Sequence, residues 1–250
     1  RQFNTIVDQF FASYLEAGGI SALENATRLY TLPIGVFGIS VSTVVYPTLS
    51  KKIVDRDFKG VENNLLKGLN ILLFLIIPCM MVFCFYSKEV VKFLFGYGNF
   101  NERAIMITAE SLFFYSVGLY FYNAIHVLTR AFYGMKNSKD PVKFSIISIV
   151  INIVLNMLLI KPMAYKGLAL ATSVAAIVNF SLLLYTFKKK YIDFKMRRTI
   201  IFAIKVIVSS LIAVAVSFGI GNLILKLIVF SIIYIVLWAY PIYKKRLEVF

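Results

Sequence analysis

The chain has 250 residues, 60% of them hydrophobic, and a formal net charge of +15. Its mean hydropathy is +0.80, far above what a soluble core requires. The charges gather between long apolar runs, so membrane topology explains the basic excess and no nucleic-acid partner is expected.

Short alternating apolar segments, as in a β-barrel, are absent, and the fold class read is an all-α polytopic membrane protein. About eight transmembrane helices are predicted, over residues 5–17, 21–49, 65–86, 104–133, 142–160, 167–187, 200–219 and 223–243. The chain opens on Arg1 and runs directly into the first apolar segment. No signal peptide is read there, and the expectation is the C-terminal part of a longer protein.

The second span organises the reading because it carries Arg28. From a start near Ser21, a rise of 1.5 Å per residue puts Arg28 roughly 10 Å down the axis. That is about a third of the way across a hydrocarbon core about 30 Å thick. A guanidinium there costs from ~3 to more than 10 kcal/mol unless it meets water, a counter-charge or an anion. Ser21, Glu24, Asn25, Arg28 and Thr31 recur at three- and four-residue spacings and share a face, which is expected to line a substrate-binding cavity. The alternative is that Glu24 only neutralises Arg28 across one helical turn and the pair snorkels to the interface.

Farther along, Pro33, Pro47 and Pro78 are expected to kink or end helices. Gly35, Gly38 and Ser42 form one stripe of small residues for close helix contact. Cys79 and Cys84, five apart on one span, read as small core residues rather than a disulfide. Residues 88–95 read as a short interfacial helix, followed by a turn over residues 96–99.

No catalytic constellation is read: His126 is the sole histidine, on a span, and fits a packing role better than catalysis. A membrane enzyme acting on polyprenyl phosphates would need a carboxylate pair or a histidine near the interface, and neither is found. A non-transporting scaffold gives no reason for Asp8 and Arg28 inside spans. Asp8 on the first span, Asn152 and Asn156 on the fifth and Thr172 on the sixth could form an oxygen site for a hard cation such as sodium. Interhelical hydrogen bonding explains the same residues equally well.

Orientation follows from the loops. Lys52, Lys139, Lys190, Arg197 and the terminal Lys244, Lys245 and Arg246 fall on one side, Lys92 and Lys161 on the other. The basic side is expected to be cytoplasmic, with both chain ends there. The stretch KKKYIDFKMRR, residues 188–198, separates six spans from a final two. It serves as a topology signal or contacts anionic membrane lipids.

The run SALENATRLYTLPIGVFGISVSTVVYPTLSK, residues 21–51, resembles the arginine-bearing helix of the MurJ (MviN) family with its LP.GV.G.a.sT pattern. The resemblance continues in register through LFGYGNF, YSVGL, RAFYGMKNSKDPVK and GLALATS, and weakens after about Lys190. It implies the second lobe of a MATE-like, MOP-superfamily fold over residues 1–187, a basic linker over 188–198, and two additional helices over 199–250 that line a lipid-tail groove. The implied function is a lipid II flippase of the bacterial cytoplasmic (inner) membrane, moving this peptidoglycan precursor by alternating access together with an N-terminal lobe. Arg28 matches the family's essential arginine and Ser21 a cavity serine. Asn25 and Thr27 depart from the Asp or Tyr common beside that arginine. No cofactor other than possible sodium is implied. The alternative is a related exporter of another lipid-linked oligosaccharide, or a cation-coupled small-molecule antiporter.

Overall fold

The structure is a computed structural model and describes residues 2–15, 19–98 and 100–243. Ala17, Asn99, Lys244, Lys245 and Arg246 lie outside the described residues. The described residues form helices and the turns joining them: α1 (Gln2–Ala12), α2 (Gly19–Pro33), α3 (Ser40–Val54), α4 (Phe58–Phe85), α5 (Ser87–Phe95), α6 (Glu102–Val117), α7 (Leu119–Gly134), α8 (Lys139–Met163), α9 (Tyr165–Lys190), α10 (Arg197–Ser217) and α11 (Leu223–Tyr243). Five helical units among them are long and apolar enough to cross a membrane, or six if α6 and α7 count as one bent span.

The helices α2 and α3 are one continuous rod, joined through the π-helical segment Ile34–Ile39 just after Pro33. A π-segment admits an extra residue per turn, so it rotates the faces on either side of it. The expected small-residue stripe is therefore incomplete. Gly38 abuts Asn123 of α7 and Ser42 is buried, but Gly35 faces open space.

The expected fourth span is broken at Gly118, where α6 and α7 meet at 43°. Ser173 of α9 explains the break. Its hydroxyl donates to Phe114 O at 2.6 Å and accepts from Gly118 N at 3.1 Å. A side chain inserted into the backbone ladder kinks a helix. The absence of a Cβ on Gly118 lets Ser173 approach: a Cβ there would lie 2.7 Å from Ser173 Cα.

α8 and α9 form an antiparallel hairpin turned at Ala164, whose φ is 48°. Both read as apolar runs, yet α9 is the most buried of the span candidates and α8 the least. α9 packs through Gly167, Ala169, Ala171, Ala175 and Ala176, small residues that admit neighbours closely. α8 is inverted: Ser148, Asn152 and Asn156 face inward, while Val150, Val154, Met157 and Leu158 face outward. Lipid tails solvate that outer face as well as a protein core would.

α10 and α11 pack on α4 in the same continuous core. Tyr86, fully buried, bonds Val214 O at 3.0 Å and Ser217 Oγ at 2.8 Å. Tyr234 donates to Phe74 O and Trp238 to Ser209 Oγ, each at 2.8 Å. The three lysines at 188–190 lie on the last turn of α9, so the connection to α10 is shorter than the basic stretch suggests.

The two ends of the bundle differ in charge. At the basic end Lys52 pairs with Asp57 at 2.8 Å, and Asp140 accepts from Asn137 and Lys190, each at 2.7 Å. Asp57 also caps α4 by accepting from Gly60 N at 2.8 Å; Lys52 and this amide hold its carboxyl below the usual range. At the other end Lys92 pairs with Glu102 and Lys166 with Glu110, each at 2.9 Å. Lys226 of α11 is buried there, 3.2 Å from Glu89 of α5 and 4.6 Å from the Tyr86 ring centroid.

Candidate functional site

Asp8 sits where α1 meets α8 and α9, and it is buried. A buried carboxylate costs several kcal/mol unless hydrogen bonds or a counter-charge offset it. Three neutral groups donate to it: Asn156 Nδ2 to Oδ1 at 2.8 Å, Thr172 Oγ1 to Oδ2 at 2.7 Å, and the Tyr115 hydroxyl to Oδ2 at 3.4 Å. Asn152 Nδ2 in turn donates to Thr172 Oγ1 at 3.0 Å, and Asn156 Nδ2 reaches Asn152 Oδ1 at 3.4 Å. The four residues read from the sequence as an oxygen cluster therefore meet across three helices. Their spacing explains it: Asn152 and Asn156 are one turn apart on the polar face of α8.

Asn156 Oδ1 is buried and accepts no hydrogen bond among the described residues. An orphaned amide oxygen beside a carboxylate, with a hydroxyl and a second amide oxygen near, is a donor set suited to a hard monovalent cation. The residues present thus fit sodium. Among the described residues no group of three or more His, Cys, Asp or Glu could hold a metal ion.

The polar face of α2 lies beside this cluster. Arg28 is 72% exposed at its side chain, and its Nη2 stands 4.0 Å from Glu24 Oε2. Glu24 takes its shorter bond elsewhere, from Gln9 Nε2 of α1 at 2.8 Å. The pairing of Glu24 with Arg28 is thus the longer of the two contacts Glu24 makes. A cavity of about 230 Å³ is lined by Asp8, Gln9, Glu24, Thr27, Arg28 and Tyr115. Of the five stripe residues only Glu24 and Arg28 line it. Ser21 is exposed outside it, Asn25 is half-buried, and Thr31 donates to Arg28 O at 2.9 Å. Helix geometry places the five on one side but spreads them over about 15 Å of axis, and the cavity takes only two of them. Sequence reasoning missed Gln9, Thr27 and Tyr115. Gln9 follows Asp8 directly, but a residue's reach across to α2 is not a local property.

The sequence profile of the family described as "Lipid II flippase MurJ" matches residues 1–238. The chain belongs to the MurJ family. It is 38% identical over 182 residues to a protein of Vibrio cholerae named as a probable lipid II flippase MurJ, covering 73% of this chain and 35% of that protein. A Thermotoga maritima protein of the same name is 35% identical over 190 residues, covering 76% and 39%. A solved structure of a lipid II flippase MurJ in an inward closed conformation superposes with a TM-score of 0.84 at 31% identity, over 98% of this chain and 51% of that one. An outward-facing multidrug MATE transporter of the MOP superfamily shares the fold, with a TM-score of 0.68 at 16% identity over 87% of this chain and 50% of that one. The chain spans less than half the length of these curated relatives. It is thus a multi-pass membrane protein with a MOP-type fold.

Two of its MurJ-like stretches meet at the site. GLALATS supplies Thr172 to Asp8 and Ser173 to the bend, while YSVGL supplies Tyr115 and Gly118. A third, RAFYGMKNSKDPVK, supplies the Asn137 and Asp140 contacts that tie the basic end to Lys190 and Tyr191.

Proposed function

We propose that the protein carrying this chain flips lipid II across the bacterial cytoplasmic membrane by alternating access. The observation that carries the reading is Arg28: an exposed guanidinium on an apolar span, at the rim of a cavity that Asp8 and Glu24 also line, in a MurJ-family chain. Such a group needs water or an anion beside it. Its planar fork suits the pyrophosphate of a lipid-linked precursor, which a point charge would hold less specifically. The polyprenyl tail stays in lipid while the head group crosses; α10 and α11 offer the tail a groove. This chain serves as the second lobe and the additional pair, with an N-terminal lobe closing the cavity. The basic end faces the cytoplasm, as loop charge dictates.

Asp8, Asn152, Asn156 and Thr172 would hold a sodium ion, which supplies the positive charge that Asp8 otherwise lacks. Loading and release of that charge bias which face of the transporter is open, since only differential binding shifts such an equilibrium.

The test is precursor flipping in cells depleted of their own flippase. Arg28→Ala in the intact protein abolishes flipping and leaves membrane insertion unchanged, while Arg28→Lys restores part of it. Rescue by Glu24→Ala combined with Arg28→Ala would defeat the ligand reading and leave mutual neutralisation as the role of the pair.

A further inference from the structure

Asp8 and Arg28 border one cavity. Asp8 is 3% exposed at the inner end, whereas Arg28 and Glu24 stand at the rim with exposed side chains. At ~30 Å³ per water, its volume of about 230 Å³ holds several waters. Across the opening, Gln9 Nε2 on α1 donates to Glu24 Oε1 on α2 at 2.8 Å. Deeper in, Tyr115 stacks on Tyr30 with ring centroids 4.6 Å apart and directs its hydroxyl at Asp8 Oδ2 from 3.4 Å. That bond is long for an O–H donor, so of the three donors to the carboxylate Tyr115, the one that lines the cavity, holds it least tightly.

We propose that Gln9 and Glu24 form the mouth of a passage by which a small monovalent cation reaches Asp8 from the cavity that Arg28 borders. The proposal rests on the cation reading of Asp8 given above. A carboxylate at a narrow mouth raises the local cation concentration and speeds entry. The Gln9 amide covers one oxygen of that carboxylate and bridges the two helices, so it slows passage in both directions. Cation and anionic cargo then meet in one cavity, next to each other. An anion bound at Arg28 offsets the positive charge beside Glu24 and favours cation entry, which couples the two without a separate signal path.

Sodium NMR line broadening on the purified intact protein reads exchange, and the sodium-dependent rise in melting temperature reads affinity. Glu24→Gln slows sodium exchange about tenfold at low ionic strength. Gln9→Ala speeds it several-fold. Both keep the half-saturating sodium concentration within about threefold, because neither residue touches the bound ion. Asp8→Asn abolishes both signals. Unchanged exchange in both Glu24→Gln and Gln9→Ala, with loss in Asp8→Asn, overturns the passage and leaves the cation site standing. Sodium effects that survive Asp8→Asn overturn the cation site itself.

Discussion

Thr172 Oγ1 on α9 donates to Asp8 Oδ2 on α1 at 2.7 Å, joining residues 164 positions apart. This bond fastens the first described helix to the centre of the bundle, and it presents one carboxylate oxygen to a hydroxyl that itself accepts from Asn152. Thr172→Val removes a donor from a buried carboxylate and is expected to lower stability by about 1–3 kcal/mol, with Thr172→Ser close to the parent. Melting temperatures in detergent check both. Asp8→Ala is expected to eliminate sodium-dependent stabilisation, and stabilisation that persists in that variant refutes the site.

The bend at Gly118 has a steric origin, so it can be attacked sterically. Gly118→Ala places a methyl 2.7 Å from Ser173 Cα, which the helix backbone cannot yield cheaply. Overpacking of this kind is expected to cost about 1–3 kcal/mol. Ser173→Ala keeps the space and loses only the bridging hydroxyl, so it is expected to cost less. A Gly118→Ala variant as stable as the parent would show that α6 and α7 meet for another reason.

Lys226 and Glu89 are unequal partners: the lysine side chain is 7% exposed, the glutamate 45%. Removing the exposed partner strands a buried cation, whereas replacing the buried one by an apolar residue strands nothing. Glu89→Ala is expected to destabilise the attachment of α11 more than Lys226→Met does. Proteolysis between α10 and α11, followed over time, reads that attachment. Equal sensitivity of the two variants would defeat the asymmetry.

Membrane topology is tested by labelling. A cysteine replacing Lys52, Lys139 or Lys190 is expected to react with an impermeant reagent only from the cytoplasmic side, and one replacing Lys92 or Lys161 only from outside. Reaction of the cysteine at position 139 from outside would invert the orientation.

The sequence by itself determined which segments are apolar helices and which end is basic, because hydropathy and charge are properties of each segment alone; of the eight spans read from it, five helical units, or six with the bent pair α6 and α7, are long and apolar enough to cross a membrane among the described residues. It also determined that α8 has a polar face, since Asn152 and Asn156 stand one turn apart wherever that helix packs. Only the tertiary structure decided where such faces point. The break at Gly118 depends on Ser173 of another helix, and the loss of Gly35 from its stripe depends on a π-segment whose hydrogen bonds no local pattern announces. The cavity joining Asp8 to Arg28 needs Gln9 and Tyr115 from two further faces. Lys226 is buried near the start of α11, because α5 brings Glu89 and α4 leads into Tyr86 beside it. Polar contacts inside a membrane bundle are made between helices distant in sequence. Their partners are fixed by packing, which period and composition do not encode.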